Sequence, residues 1–257
     1  MDKFVLRNTC KRKRLHDGDD TESVNLEDAT LKRSKNDQLS AGQLTWKEIR
    51  AEGLSCNYML LYSKTDADEI FLQLEREIEY FSGDLSRIKV YGKWHNVPRK
   101  QVTYGDDGLT YKFSGITLST KPWIPLLDSI RERVKHATGH IFNFVLINRY
   151  KDGNDHIGEH RDDERDLVPR SPIASVSFGA CREFLFRHRD ARCKNPKLQI
   201  EPQKLELAHG SLLMMNFPTN VYWYHSLPVR KKVLSPRINL TFRNIIPAAE
   251  RINKDQP

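Results

Sequence analysis

Cysteine is scarce in this sequence, and what there is does not pair. Cys10, Cys56, Cys181 and Cys193 form no C-x-x-C unit, and Cys10 sits in a strongly polar segment. That excludes a disulfide framework or a zinc cluster as the organising feature, and a reducing intracellular compartment is expected. Long apolar runs are missing as well. No stretch approaches the roughly 18 residues that a membrane-crossing helix requires. The N-terminal segment holds no apolar core of a secretory signal. There is no internal repeat.

Positive charge is in excess. Lys and Arg number 42 against 34 Asp and Glu, a net charge of +8 and a pI near 9.3. A basic balance suits a nucleic acid or an anionic membrane surface as partner. The 257 residues suffice for one catalytic domain of roughly 200 residues and a tail. Residues 1–43 are polar and show no apolar period, so they are expected to be disordered. Regular aromatic and aliphatic residues begin near Trp46, which sets one domain over 44–247 and a polar end over 248–257.

Within that domain the spacing of Ile70, Phe71, Leu74, Ile78 and Phe81 predicts a helix over 66–80. A second is expected over 123–134, with Pro122 at its start. The remaining segments are short and strand-like: 87–91, 142–150, 173–178, 183–186, 211–215, 221–225 and 237–242. Many short strands after a helical start predict a mainly β fold, a sandwich or barrel with helices packed outside.

The richest stretch is His156-Ile-Gly-Glu-His160-Arg-Asp162-Asp163-Glu164. In extended chain, residues two apart face the same way, so His160 and Asp162 can meet one ion. His225, in Tyr222-Trp-Tyr-His225-Ser, is the candidate third ligand. Two His and one carboxylate form the facial triad of non-haem Fe(II) oxygenases, which leaves positions open for cosubstrate and dioxygen. A polar loop with surface histidines is the competing reading, and His156 is a competing ligand. The segment Arg237-Ile-Asn239-Leu-Thr241-Phe-Arg243 alternates strictly, with two guanidiniums on its polar face. It is either a solvated strand or the wall of a pocket for a small dicarboxylate, which Arg grips through paired hydrogen bonds.

Taken together, Asn148-Arg-Tyr150, His160-Arg-Asp162, His225 and Arg237-x-Asn239-x-Thr241-x-Arg243 resemble the signature of the AlkB dioxygenases. The likeness runs over about 46–245 and is nearest to the vertebrate branch that repairs double-stranded DNA. The resemblance implies a double-stranded β-helix, or jelly-roll, core. It implies Fe(II) held by His160, Asp162 and His225, and 2-oxoglutarate held by Asn148, Tyr150, Arg237, Thr241 and Arg243. Dioxygen would be the second cosubstrate. The activity implied is oxidative demethylation of 1-methyladenine and 3-methylcytosine, releasing formaldehyde, succinate and carbon dioxide.

A methyl group on the pairing edge of a base is hidden in the duplex, so the nucleotide must be flipped out. By resemblance, Tyr111, Lys112, Phe113 and Ser114 line the base pocket with Asp163 and Glu164. A hairpin with Val90-Tyr91-Gly92 at its tip carries the wedge that fills the vacated stack. The family's usual wedge is Phe; here Tyr91 stands in its place. Basic clusters at Arg99-Lys100, Arg187, Lys194 and Arg230-Lys231-Lys232 are expected at the DNA backbone.

In the tail, Lys11–Arg14 with Lys32-Arg33 resembles a bipartite nuclear-localisation signal. Lys3-Phe4-Val5-Leu6-Arg7 resembles a peptide that binds the replication sliding clamp. A monomer acting in the nucleus is expected. An RNA demethylase, a non-catalytic nucleic-acid-binding module and a zinc hydrolase remain the alternatives. The hairpin and the basic loops favour duplex DNA over RNA, whose recognition uses single strands and loops.

Overall fold

The computed structural model describes residues 45–90, 93–113, 116–192, 200–247 and 250. The tail motifs at Lys3–Arg7, Lys11–Arg14 and Lys32-Arg33, together with Tyr91, Gly92, Ser114 and Lys194, lie outside the described residues, as do the side chains of Val90, Lys112 and Phe113.

Eight strands form the centre: β8 (Phe144–Tyr150), β9 (Ile157–His160), β10 (Ile173–Gly179), β11 (Arg182–His188), β12 (Gln203–Leu207), β13 (Ser211–Met215), β14 (Trp223–Leu227) and β15 (Arg237–Arg243). They sort into two antiparallel sheets. The larger has the order β1-β2-β13-β10-β15-β8-β5, where β1 is Lys47–Ala51, β2 is Leu54–Leu60 and β5 is Lys100–Gly105. The smaller has the order β12-β11-β14-β9. The chain crosses repeatedly between the sheets, which is the double-stranded β-helix.

The larger sheet is buried on both faces, and the two-residue period of its strands decides which side chain goes where. Ile238, Leu240 and Phe242 of β15, with Ala174, Val176 and Phe178 of β10, join one apolar cluster. Helix α1 (Lys64–Glu77) and helix α2 (Pro125–Thr138) cover that face through Leu74, Leu127, Ile130 and Val134. The alternate residues face the smaller sheet. There, Tyr150, Ile173, Leu213 and Met215 meet Phe184, Phe186, Trp223 and Leu227.

Element ends follow local chemistry. Ser63 caps α1 by accepting from the Asp66 amide, so the helix begins at Lys64, two residues before the expected start at residue 66. It stops at Glu77, where Ile78 is already extended. α2 starts at Pro125, not Pro122, and closes on the left-handed Gly139. Strand β14 starts two residues later than expected, because Thr219–Tyr222 forms a helical turn, α3, and it runs on to Leu227. Two ribbons stand apart from the sheets: β3 (Arg87–Val90) with β4 (Lys93–Asn96), and β6 (Thr110–Phe113) with β7 (Ile116–Ser119). No helix among the described residues is long and apolar enough to cross a membrane.

Gly179 ends β10 with φ +82°, opposite Arg237 at the start of β15. A Cβ there would lie 2.4 Å from the Pro236 carbonyl oxygen. Gly179→Ala is therefore expected to destabilise the fold by roughly 1–3 kcal/mol and to disturb Arg237. Urea unfolding checks this, and a wild-type midpoint would show that the strand entry can rebuild around a side chain.

Candidate active site

His160 closes β9 and pairs in register with His225 of β14. Asp162 follows two residues after His160, and the ligand atoms of the three lie within 4.8 Å of one another. His160 Nε2 is 3.9 Å from Asp162 Oδ1, and His225 Nε2 is 3.9 Å from Asp162 Oδ2. The other ring nitrogen of His160, Nδ1, donates to the Gly158 carbonyl at 2.9 Å, which orients the ring with Nε2 toward Asp162. His225 stacks on Phe184 at 5.3 Å. Burial first, then His160, pushes its pKa down to about 3, so it is a neutral ligand at ordinary pH. His160 is the half-exposed member; Asp162 and His225 are buried.

Burial opposes the charge on Asp162, yet Arg243, with His225 and His160, holds its carboxyl well below the usual carboxylate range. Arg243 donates to Asp162 Oδ1 at 2.7 Å. Two imidazoles and an ionised carboxylate converging on one point fit the donor set of Fe(II), with room for cosubstrate on the remaining positions.

Beside the triad runs a polar stripe on the inner face of the larger sheet. Arg237, Asn239, Thr241 and Arg243 of β15 share a cavity with Asn148 and Tyr150 of β8, Ser175 of β10, and the triad itself. The strand is thus walled in on both sides, and the solvated reading fails. The two arginines differ. Arg243 is engaged by Asp162, with Nε and Nη1 unpartnered among the described residues. Arg237 is 1% exposed, donates to Ser177 Oγ at 2.9 Å and has no carboxylate partner among the described residues. Burial, eased by Tyr150, brings its pKa down to about 10. A buried cation without an anion is costly, and a carboxylate of a bound dicarboxylate would relieve it. Ser175 and Ser177 escaped the sequence reading. Their alternation with Ala174, Val176 and Phe178 was the available signal.

The base-side residues are placed differently from expectation. Tyr111 is 1% exposed and packs on Phe144 at 5.0 Å. Its ring is core, and only its hydroxyl reaches the site, where it donates to Glu164. Burial leads in raising the Glu164 pKa, with Asp162 adding to it. Asp163 is exposed and pairs with Arg161 at 2.7 Å. Arg99, expected at the DNA backbone, is buried and donates to Asn148 Oδ1 at 2.7 Å. Its partner lies 49 positions away, so sequence position alone made it look like part of a surface cluster. Of the other basic residues, Lys100 is exposed, Arg187 pairs with Glu159 at 3.2 Å, Arg230 pairs with Glu183, and Lys231 and Lys232 are exposed.

Residues 53–243 match the family described as the 2OG-Fe(II) oxygenase superfamily. A cattle relative named DNA oxidative demethylase ALKBH2 is 69% identical over 212 residues, covering 82% of this chain and 76% of its own. The human protein of that name is 69% identical over 207 residues, covering 80% and 79%. The chain belongs to the AlkB family of 2OG-Fe(II) oxygenases. A more distant relative, the human alpha-ketoglutarate-dependent dioxygenase alkB homolog 3, is 34% identical over 194 residues, covering 75% of this chain and 66% of its own. The solved structure of OsALKBH1 superimposes with a TM-score of 0.52 at 17% identity, covering 78% of this chain and all of that one, a likeness of fold. Membership makes Fe(II), 2-oxoglutarate and dioxygen the reagents of this AlkB-family site.

Asp162→Ala removes a candidate metal ligand and strands the buried Arg243 charge. It should abolish turnover and, in metal-free protein, lower stability by roughly 3–5 kcal/mol. Metal analysis and thermal melting check the two effects separately. Arg237→Ala should raise the 2-oxoglutarate KM by roughly two orders of magnitude, an interaction of the 2–5 kcal/mol class. Arg237→Lys should recover only part, since a point charge cannot replace the planar fork. An unchanged KM in the Ala variant would remove Arg237 from the cosubstrate wall.

Proposed function

We infer that this protein repairs DNA by oxidative demethylation, coupling loss of an N-methyl group as formaldehyde to decarboxylation of 2-oxoglutarate to succinate. The observation that carries the reading is Arg237. A buried guanidinium without a carboxylate partner among the described residues lines the same cavity as a His-Asp-His triad. A metal site for simple hydrolysis leaves that cation unexplained. Bound iron supplies activation of dioxygen. The chain's own residues do the rest. Arg237 would anchor one carboxylate of the cosubstrate, with Asn148, Tyr150 and Thr241 along its length and Arg243 holding Asp162 ionised. Phe184, Met215 and Leu227 close the cavity with apolar surface and limit water.

The substrates proposed are 1-methyladenine and 3-methylcytosine in duplex DNA. The names of the 69%-identical relatives support DNA, and so does the +8 charge. The β3–β4 ribbon supports a duplex. Its strands pair with the register Val90↔Lys93, and its Lys93, Trp94, His95 and Asn96 are exposed. Asp163 and Glu164 beside the triad offer acceptors to an exocyclic amine. We further propose that the protein acts as a monomer in the nucleus, supported by the basic clusters at Lys11–Arg14 and Lys32-Arg33, and that Lys3–Arg7 docks on the sliding clamp.

Incubating duplex containing 1-methyladenine with protein, iron and 2-oxoglutarate should yield adenine and an equal amount of succinate by mass spectrometry. Faster turnover of methylated RNA would transfer the reading to RNA. Tyr91→Ala should lower activity on methylated duplex roughly tenfold more than on a single strand, which has little stack to restore. Tyr91→Phe should stay close to wild type. Equal losses on both substrates would take the ribbon out of the mechanism.

A further inference from the structure

Arg99 lies at the junction between the β3–β4 ribbon and β5, in the segment Val97-Pro98-Arg99. The segment is pinned to the loop that leads into the metal site, because the His156 amide donates to the Pro98 carbonyl at 3.2 Å. The Arg99 side chain runs inward. Its Nε donates to Asn148 Oδ1 at 2.7 Å and its Nη1 to the His156 carbonyl at 3.3 Å.

An asparagine amide has two edges of nearly the same shape and opposite polarity, and its environment decides which way round it sits. A guanidinium can only donate. Asn148 must therefore turn its oxygen to Arg99, since the flipped amide would set donor against donor in a buried site. The consequence falls on the other edge. Asn148 is 3% exposed and lines the cavity with Arg237 and Thr241, and no acceptor among the described residues meets its Nδ2. The cavity is thus offered an N–H2 group, which suits a carboxylate or keto oxygen and repels a cation.

We propose that Arg99 is a positioning residue for the cosubstrate: by fixing the Asn148 amide, it presents an N–H donor to an oxygen of 2-oxoglutarate. This rests on the assignment of the cavity to 2-oxoglutarate. It also replaces a phosphate contact as the reason for this arginine, because a guanidinium committed to Asn148 and the His156 carbonyl inside the domain is not presented to a DNA strand.

The test uses the full chain loaded with Mn(II) in place of iron, so that 2-oxoglutarate affinity is read by calorimetry without turnover. Duplex affinity is read by fluorescence anisotropy. Arg99→Met should raise the Kd for 2-oxoglutarate about tenfold, one hydrogen bond to a charged group, and leave duplex affinity unchanged. With iron, KM for 2-oxoglutarate should rise while kcat at saturation changes little. In an Asn148→Ala background the same Arg99→Met change should add nothing, because the group it positions is gone. Asn148→Asp keeps an acceptor for Arg99, and hence the pinned segment, but has no donor, so it should also weaken 2-oxoglutarate. Unchanged cosubstrate affinity in Arg99→Met overturns the proposal, as does loss confined to duplex affinity or additive losses across the two backgrounds. Should Arg99→Met fail to fold, Asn148→Asp decides: wild-type affinity for 2-oxoglutarate overturns the proposal. Wild-type protein that binds no 2-oxoglutarate overturns this inference and the cavity assignment together.

Discussion

Asp162 and Arg243 face each other inside the barrel at 2.7 Å, both almost completely buried. A buried pair of this kind is a poor source of stability, because desolvation cancels most of the attraction. What it secures is state and place. The carboxylate is held ionised and oriented, with its oxygens 3.9 Å from each imidazole. The pair also ties the loop after β9 to the last residue of β15, so metal ligand and cosubstrate strand cannot shift independently. Of the two guanidiniums that line the cavity, Arg237 is the one with no carboxylate partner among the described residues. A site with two guanidiniums and one ionised carboxylate is electrostatically unfinished. A divalent metal with a dicarboxylate completes it.

The strand geometry makes this arrangement affordable. Each inner strand sends alternate residues to two different environments. On β15, Ile238, Leu240 and Phe242 fill the helix-covered core, and this packing is free to supply stability. The other four residues are thereby released for chemistry. Cross-strand register does the rest: Asn239 lies between Asn148 and Ser177, and Thr241 between Leu146 and Ser175. Ser175 and Ser177 accept from Asn239 and Arg237, so the polar stripe satisfies itself laterally and keeps its remaining donors for the cavity.

Much of this was legible in the chain. The strict alternation of 237–243 announced a two-faced strand, and H-x-D with a distant histidine announced the triad. Three kinds of feature were not. Polar edge strands such as Lys47–Ala51, whose side chains are mostly exposed, place only Ile49 and Ala51 against the core, too few apolar residues to show a period. Helix starts depended on a cap, Ser63, that the periodicity does not see. The roles of long side chains depended on partners far along the chain. Arg99 belongs to Asn148, Arg149 to Glu75 through two 2.7 Å bonds, and Arg182 to the carbonyls of Asp152, Asp155 and Pro228. In sequence these arginines look no different from the basic run at 230–232, of which Lys231 and Lys232 are exposed. Tyr111 shows the same limit from the other side. Two aromatics at alternate positions read equally as pocket or core, and the fold gave this ring to the core and only its hydroxyl to the site.

Chemistry and recognition therefore rest on different kinds of structure. The residues proposed to hold metal and cosubstrate lie, with the exception of Asp162, on strands of the two main sheets, and β8 and β15 are packed on both faces, where a displacement would disturb a whole sheet. The residues proposed to read the base and the duplex sit on the two ribbons and on the Asp163–Glu164 loop, outside the two main sheets. A two-stranded ribbon is marginally stable alone, and exposed residues of β4 such as Trp94 give it little core of its own. Its shape is not what stabilises the enzyme, so its sequence is free to follow the substrate. Asn148 and Arg99 fall in the constrained part. On the role proposed for Tyr91, a change of aromatic there would alter how a stack is filled. A change at Arg99 reverses the polarity of a group inside the barrel, and the two should separate cleanly in cosubstrate and duplex affinities.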